Sequence, residues 1–198
     1  MDKIVLASGN AGKLREITEI FAGLGIEIIP QAELGIPSPE ETGRTFIENA
    51  LLKARFAANQ ADLPAMADDS GIVVDALDGR PGVYSARYAR EGASDADNLD
   101  LLLQELANVA EEKRGAGFHC AAVIVYPQDS SAPIIAEAVW RGTILRARRG
   151  EGGFGYDPVF LDATAQKTGA EMTRDEKNAV SHRGKAFREL RGLLQESG

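Results

Sequence analysis

The sequence predicts a mixed α/β protein, because strand-type and helix-type segments alternate along its 198 residues. Short apolar runs such as KIVLA at 3–7 are typical of buried strands. Several amphipathic segments begin with Ser or Thr followed three residues later by Glu or Asp, which is the pattern of a capped helix. Two longer apolar runs, 116–126 and 134–140, predict neighbouring antiparallel strands in the middle of the sheet.

The N-terminal third begins with a strand, a turn and a helix. Residues 3–7 predict the strand, and Ser8-Gly9-Asn10 form the turn. The following segment has a helical apolar face made of Leu14, Ile17, Phe21 and Leu24. A short strand is expected at 26–29, and an irregular loop at 37–43.

The segments over 46–76 combine polar side chains with apolar runs that are expected to be buried. Thr45 and Glu48 predict a capping box for a helix over 46–59, in which Asn49 and Lys53 face the same partner. A strand over 65–67 is expected to end at Asp68-Asp69, with a new strand resuming at 72–76. The two carboxylates should therefore lie at a break between strands.

The second half of the chain also contains capped helices, together with a glycine-rich loop. Ser94 with Asp97 predicts a helix whose leucine stripe belongs to the core. Glycine-rich residues 150–155 predict a loop whose backbone turns sharply or approaches a ligand closely. Thr173 with Glu176 predicts a short helix, and a longer helix closes the chain with an apolar face that includes Phe187, Leu190 and Leu194.

Charge and hydropathy exclude some function classes. The net charge of −8 argues against a protein that coats nucleic acid, which requires a broad basic surface. The basic residues within 167–191 are either a solvated helix face or a local polyanion site. The longest apolar stretch, 120–126, is far shorter than the ~20 residues of a membrane span, and no secretory signal is recognisable, so a cytoplasmic location is expected. Cys120 is the only cysteine and is predicted to be an inert core residue.

The segment Ser8 to Lys13 is the first candidate site. It joins a strand to a helix, and it combines small residues with a lysine where backbone N–H groups point outward, an arrangement suited to phosphate. A P-loop is excluded, because the glycines are three apart and Leu14 follows the lysine in place of Ser or Thr. The alternative is a tight turn without a ligand.

Two acidic pairs form the second candidate site. Mg²⁺ prefers hard oxygen ligands and usually takes one or two carboxylates together with phosphates and water. Glu40-Glu41 in a loop and Asp68-Asp69 at a strand end could supply them, although such pairs are also common on solvated loops. Asp69 is the more informative residue, because a carboxylate among apolar strands needs a cation or hydrogen bonds to compensate its charge.

Two late segments could recognise a base. Phe154 and Tyr156 stand in the glycine-rich loop, where aromatic rings can stack on a base and Asp157 can accept hydrogen bonds, unless the rings only anchor the loop to the core. The segment Ser181-His182-Arg183-Gly184 follows Lys177, and an Arg donor can favour a 6-keto purine over adenine. His182 alone is more often a surface or capping residue.

Six segments in order along nearly the whole chain resemble the inosine/xanthosine triphosphate pyrophosphatase family, in its bacterial HAM1-like branch. They are SGNAGK, the region from EETG to FIENALLKAR, ADDSG, PGVYSARY, GGFGYDPVF and SHRGKA. The resemblance implies an elongated mixed β-sheet with flanking helices in two lobes around a nucleotide cleft, within a single domain. It also implies a homodimer.

The resemblance further implies Mg²⁺-dependent hydrolysis of ITP, dITP and XTP to the monophosphate and pyrophosphate. Asp69 would be metal ligand and general base, and Glu40, in preference to Glu41, the second metal ligand. Residues near the phosphates would be Ser8, Gly9, Asn10, Ala11, Gly12, Lys13 and Lys53. Substrate, base and sugar would be held by Ser70, Phe154, Gly155, Tyr156, Asp157, Lys177, His182 and Arg183.

Two rival functions remain open. A Maf-like pyrophosphatase would choose other bases, but the SHRG and GGFGYDP segments disfavour it. A regulator that binds a purine nucleotide without hydrolysing it is disfavoured by the complete acidic and basic sets that include Asp69. The sequence does not rank ITP, dITP and XTP, nor does it show how strongly GTP is rejected.

Overall fold

The computed structural model describes residues 2–9 and 11–196 and confirms a mixed α/β fold. Six strands form one sheet in the order β2-β1-β3-β4-β5-β6. The strands are β1 Lys3–Leu6, β2 Glu27–Pro30, β3 Ala65–Val74, β4 Gly115–Val125, β5 Ile134–Ile144 and β6 Phe160–Asp162. The helices are α1 Ala11–Phe21, α2 Phe46–Ala61, α3 Asp95–Glu105, α4 Arg174–Val180 and α5 His182–Glu196.

Three helices begin at the predicted capping boxes. In α2 the Thr45 hydroxyl accepts from the backbone N–H of Glu48, whose carboxylate accepts from the N–H of Thr45 in return. The same reciprocal pair is formed by Ser94 with Asp97 in α3 and by Thr173 with Glu176 in α4. Each box satisfies backbone donors that have no partner inside the helix.

Strand β3 corrects one prediction. The expected break at Asp68-Asp69 does not exist, because a single strand runs from Ala65 to Val74. Both carboxylates are paired with cations, so the strand carries them without interruption. Since side chains alternate across a strand, the two acids point to opposite faces of the sheet.

The chain divides into two compact units. The first consists of residues 2–9, 11–69, 120–138 and 183–196. Here β1 pairs in parallel with both β2 and β3, and apolar clusters cover both sheet faces. One cluster packs α1 and α5 on the sheet through Ile17, Phe21, Phe187 and Leu190, and the other packs the alanine face of α2 through Ala50, Ala54, Ala57 and Ala58.

The second unit consists of residues 70–119 and 139–182. Its core contains the predicted leucine stripe of α3 together with Phe118, Trp140 and Phe160. Strand β6 pairs antiparallel with β5. The buried Arg114 donates hydrogen bonds from its guanidinium to three backbone carbonyls, at distances of 2.6 to 2.9 Å. These contacts hold the loops that follow α3 and β5.

Nothing in residues 2–9 and 11–196 forms a helix with both the length and the apolar character of a membrane span.

The predicted neighbouring strands, 116–126 and 134–140, are β4 and β5, and they do lie side by side in the sheet. The arrangement of lobes around a cleft stays a prediction.

Candidate active site

A charged cluster in the first unit centres on Asp69. Helix α2 presents Asn49 and Lys53 on one face, and both contact this carboxylate, as their spacing predicted. The Lys53 ammonium donates to Asp69 Oδ1 at 2.9 Å, and Asn49 Nδ2 donates to Asp69 Oδ2 at 3.2 Å. Lys53 also donates to Glu41 Oε1 at 2.6 Å. Two carboxylates therefore share one ammonium.

Burial and this shared cation set the charges of the cluster. Burial raises the pKa of Asp69 and outweighs the opposing effect of Lys53, while the nearby Glu41 raises it further. Burial lowers the pKa of Lys53, but the carboxylates of Asp69, Asp68 and Glu41 together outweigh it, so the net pKa is raised. Lys53 is thus a firmly charged cation beside an Asp69 that takes up a proton more readily than an ordinary carboxylate.

A second cluster lies around Asp68, whose side chain is fully buried. Lys13 Nζ donates to Asp68 Oδ2 at 2.9 Å, and Arg183 Nε approaches the same oxygen at 3.4 Å. Arg183 also donates to Glu16 Oε2 at 3.2 Å. Burial alone would raise the pKa of Asp68, but Lys13 and Arg183 hold it well below its usual range. Asp68 is therefore a permanent anion that fixes two cations.

Cys120 behaves as the sequence predicts. It is buried, and its thiol lies 4.0 Å from Asp68 Oδ2. Burial and the adjacent carboxylate raise the pKa of the thiol well above its usual range. A thiol that stays protonated at neutral pH is a poor nucleophile, so Cys120 belongs to the core.

The predicted phosphate segment connects β1 to α1. Ser8 is half-buried and Gly9 is exposed, Gly12 is half-buried, and Lys13 lies in the first turn of α1. Asn10 lies outside the described residues, and Ala11 is the first residue of the helix. The first turn of a helix carries backbone N–H groups without helical acceptors and a partial positive charge, which together favour an anion.

In the second unit, the two aromatic residues of the glycine-rich loop have different surroundings. Phe154 is 39% exposed, whereas Tyr156 is 5% exposed and donates its hydroxyl to the backbone oxygen of Ser85 at 2.8 Å. Ser85 in turn accepts from the N–H of Ile72 at 2.9 Å. Tyr156 thus anchors the loop to the core, while Phe154 offers a ring at the surface.

Asp157 closes this loop. Its Oδ2 accepts from the backbone N–H of Phe154 at 2.8 Å and from Lys177 Nζ on α4 at 2.5 Å. The Lys177 ammonium lies 4.6 Å from the centre of the Phe154 ring, within the range of a cation–π contact. Backbone N–H of Gly155 donates to Asp95 Oδ2 at 2.8 Å, which ties the loop to the start of α3.

The remaining predicted site residues have distinct positions. His182 is buried at the start of α5 and stacks on Phe118, with ring centres 4.8 Å apart, so it is neither a surface residue nor a simple cap. Ser70 is half-buried within β3. Glu41 joins the Asp69 cluster, whereas Glu40 is exposed one residue earlier. Arg183 is buried in the Asp68 cluster.

Two further residues of these clusters were not recognised from the sequence. Glu16 follows Lys13 by three residues on α1, a spacing that places two side chains on one helix face and could have indicated it. Ser85 lies in the PGVYSARY segment, and only its tertiary contact with Tyr156 reveals its place in the loop anchor.

The described part of the chain offers few protein ligands for a metal ion. It contains no group of three His, Cys, Asp or Glu side chains arranged to hold an ion. The carboxylates of Glu41 and Asp69 on either side of Lys53 are hard oxygen donors of the kind Mg²⁺ takes. A site of this kind fits an ion that keeps most of its ligands as water and phosphate.

Known proteins resemble the whole chain. Residues 4–193 match the model of the Ham1 family. A dITP/XTP pyrophosphatase of Yersinia pseudotuberculosis is 53% identical over 197 residues, and the match covers 100% of this chain and 100% of that one. The structure of a HAM1 protein from Coxiella burnetii, 47% identical, has a TM-score of 0.93 over 99% of this chain and 100% of that one.

A second solved structure agrees. The Ham1 protein of Staphylococcus aureus is 38% identical, with a TM-score of 0.89 over 99% of this chain and 100% of that one. These matches confirm the resemblance to the inosine/xanthosine triphosphate pyrophosphatases found in the sequence. The chain belongs to the Ham1 family.

Proposed function

We propose that this protein hydrolyses the non-standard purine nucleoside triphosphates dITP, ITP and XTP to the monophosphate and pyrophosphate. The relatives named dITP/XTP pyrophosphatase support this activity across the full chain length. The observation that carries the proposal is the Asp69 cluster, in which a buried carboxylate with a raised pKa meets a charged lysine. That pairing supplies both a proton acceptor and a cation for phosphate.

The phosphate-binding role belongs to the first unit. Residues Ser8 to Lys13 would surround the phosphates with backbone N–H groups at the start of α1, and Asn10 is part of this proposal from the sequence alone. Lys13 and Lys53 would neutralise the negative charge of the triphosphate. Asp68 keeps Lys13 close to the start of α1 by an ion pair whose carboxylate is fully buried and whose lysine side chain is 17% exposed.

The proposed metal is Mg²⁺, with Asp69 and Glu40 as protein ligands. Glu41 is already paired with Lys53, whereas the exposed Glu40 can meet a hydrated cation without first breaking an ion pair. When bound, the ion would neutralise charge on the phosphates and on the pyrophosphate leaving group. Two protein carboxylates agree with the one or two that Mg²⁺ usually takes, together with phosphates and water.

Asp69 is the proposed general base. A water oxygen forms a bond to the α-phosphorus while its proton passes to the Asp69 carboxylate. The bond from that phosphorus to the bridging oxygen breaks, and the electron pair leaves with pyrophosphate. The raised pKa makes Asp69 a better proton acceptor than an ordinary carboxylate, and Asn49 fixes its orientation.

The base and sugar would be held mainly by the second unit. Phe154 offers an exposed ring for stacking, and Gly155, Tyr156, Asp157 and Lys177 form the loop and helix face around it. Ser70, His182 and Arg183 complete the proposed set. Arg183 would favour a 6-keto purine through its N–H donors.

The rival functions gain no support from the relatives. The curated matches carry the name dITP/XTP pyrophosphatase, which disfavours a Maf-like choice of base and a regulator that does not hydrolyse nucleotide. A homodimer and a cytoplasmic location are part of the same proposal.

The experiment that tests this function identifies the product. Purified protein is incubated with dITP and Mg²⁺, and ³¹P NMR distinguishes pyrophosphate from orthophosphate. We expect pyrophosphate and dIMP in equal amounts, with no turnover in EDTA. Orthophosphate with dIDP would mean cleavage at the outer phosphate, and binding without turnover would favour the regulator.

A further inference from the structure

An aromatic cluster in the second unit includes the ring of His182. The rings of Phe118, Trp140 and His182 are nearly parallel, with their planes inclined by 8° to 23° to one another. The centre of the Phe118 ring lies 4.8 Å from that of His182, and the Trp140 ring lies 5.9 Å from Phe118 and 6.3 Å from His182. Phe160 packs edge to face against Phe118 at 4.7 Å and against Trp140 at 4.8 Å.

Burial makes this aromatic cluster rigid. All four side chains are buried, and close-packed rings cannot tilt one at a time without opening a void or pressing on a neighbour. His182 is the polar member of the cluster. The orientation of its imidazole is therefore tied to the positions of Phe118 and Trp140, with which it stacks.

Asp162 fixes the cluster at the indole of Trp140. Its Oδ2 accepts from Trp140 Nε1 at 2.6 Å, a short hydrogen bond between a buried ring and a buried carboxylate. Its Oδ1 accepts from the backbone N–H of Thr164 at 2.8 Å and from that of Ala165 at 2.6 Å. The turn that follows β6 thus holds the carboxylate, and the carboxylate holds the indole.

We propose that Asp162 and Trp140 are positioning residues, which orient the His182 ring for the base of the nucleotide without contacting the nucleotide themselves. The inference rests on the proposed function, in which His182 belongs to the set that holds base and sugar. A polar ring that binds a base has to be held within about 0.5 Å and 10–20° of its productive geometry. The hydrogen bond from Asp162 and the parallel rings between it and His182 supply this precision.

The first test is Asp162→Asn, with dITP as the probe. Asparagine has one side-chain oxygen, so a residue that keeps the bonds to Thr164 and Ala165 turns its amide N–H groups toward the indole N–H of Trp140. The bond to Trp140 is then lost. We expect kcat/KM for dITP to fall about 10- to 100-fold, mainly through KM, because a misplacement of about 1 Å costs on the order of 10².

Tyr88→Phe is the matched control for this variant. It also removes a hydrogen bond between an aromatic side chain and a carboxylate of the second unit, since the Tyr88 hydroxyl donates to Glu105 outside the aromatic cluster. This variant should keep the wild-type kcat/KM for dITP. An Asp162→Asn enzyme with wild-type kcat/KM would overturn the proposal.

A double-mutant cycle tests whether Asp162 acts through His182. In a His182→Ala background, Asp162→Asn should change kcat/KM for dITP by less than about twofold, because the ring that it orients is absent. If the losses from the two substitutions multiply fully, Asp162 acts by another route, and the inference is contradicted.

Wild-type protein provides a test that needs no variant to fold. Trp140 is the only tryptophan in the chain, so a single indole N–H signal in a ¹H–¹⁵N NMR spectrum reports on the cluster. This signal should shift with dIMP, at a concentration that saturates its inhibition of dITP hydrolysis, and stay in place with pyrophosphate, which has no base. An indole signal that dIMP leaves unshifted would contradict the inference. Absence of dITP hydrolysis would instead refute the proposed function, so the two failures are distinguishable.

Discussion

Asp68 and Asp69 are adjacent in β3, yet their carboxylates are held by different lysines on opposite faces of the sheet. Lys13 lies 2.9 Å from Asp68 Oδ2, and Lys53 lies 2.9 Å from Asp69 Oδ1. Burial raises the pKa of both acids, but at Asp68 the cations Lys13 and Arg183 outweigh it and lower the pKa, whereas at Asp69 burial dominates and the pKa is raised. One acid is therefore suited to fixing cations and its neighbour to accepting a proton.

Asp69→Asn tests the proton acceptor. The amide cannot take a proton from water or serve as an anionic metal ligand, so kcat for dITP should fall on the order of 10² or more. Initial rates of pyrophosphate release at saturating Mg²⁺ measure this. Asp75→Asn, the same change at an exposed carboxylate just after β3, should keep the wild-type rate. An Asp69→Asn enzyme with near wild-type kcat would refute the assignment.

Glu40→Gln and Glu41→Gln test the metal ligand. Because Glu41 is paired with Lys53 and Glu40 is exposed, we expect Glu40→Gln to raise the Mg²⁺ concentration for half-maximal activity by about tenfold or more. Titrations of both variants with Mg²⁺ measure the shift. A larger shift in Glu41→Gln would move the ligand to that residue.

Asp68→Asn tests the buried anion through acid stability. A carboxyl group whose folded pKa lies below its ordinary value of 3.8 stabilises the fold above about pH 4, and this contribution is lost as the pH falls further. At pH 7 the variant should lose about 3 to 5 kcal/mol in free energy of unfolding, because the half-buried Lys13 and the buried Arg183 lose the carboxylate that both contact. Urea unfolding from pH 7 to pH 3 should show the gap to wild type narrowing in acid. A gap that is constant with pH would contradict the role of Asp68.

Phe154→Ala tests base stacking. Stacking on an aromatic side chain contributes about 1 to 3 kcal/mol per base, so KM for dITP should rise roughly 5- to 150-fold with little change in kcat. Tyr84→Ala is the matched control, since Tyr84 is an exposed aromatic residue of the same unit, with 58% exposure. Steady-state kinetics that give both variants the same KM would remove Phe154 from the site.

The local features of the fold could be predicted from the sequence. The capping boxes at Thr45, Ser94 and Thr173 depend only on residues three apart, and the shared partner of Asn49 and Lys53 follows from helical spacing. Each was confirmed. The break in β3 was predicted wrongly, because two adjacent acids were taken as a strand end when distant lysines compensate them.

Other features depend on contacts that no local pattern contains. Arg183 meets Asp68 across 115 positions of the sequence, and Tyr156 meets Ser85 across 71. The sequence left open whether the loop aromatics stack on a base or anchor the core; the structure buries Tyr156 as an anchor and leaves the Phe154 ring exposed. Partners so far apart become visible only when the chain is folded.

The central claim is that the protein removes non-standard purine triphosphates by pyrophosphate release. A panel of dITP, ITP, XTP, GTP and ATP, with kcat/KM measured for each in Mg²⁺, tests it most directly. We expect dITP, ITP and XTP to exceed ATP by at least about fivefold, since one wrongly placed exocyclic group on a base costs about 1 to 3 kcal/mol. Equal kcat/KM values for ATP and dITP would contradict the account.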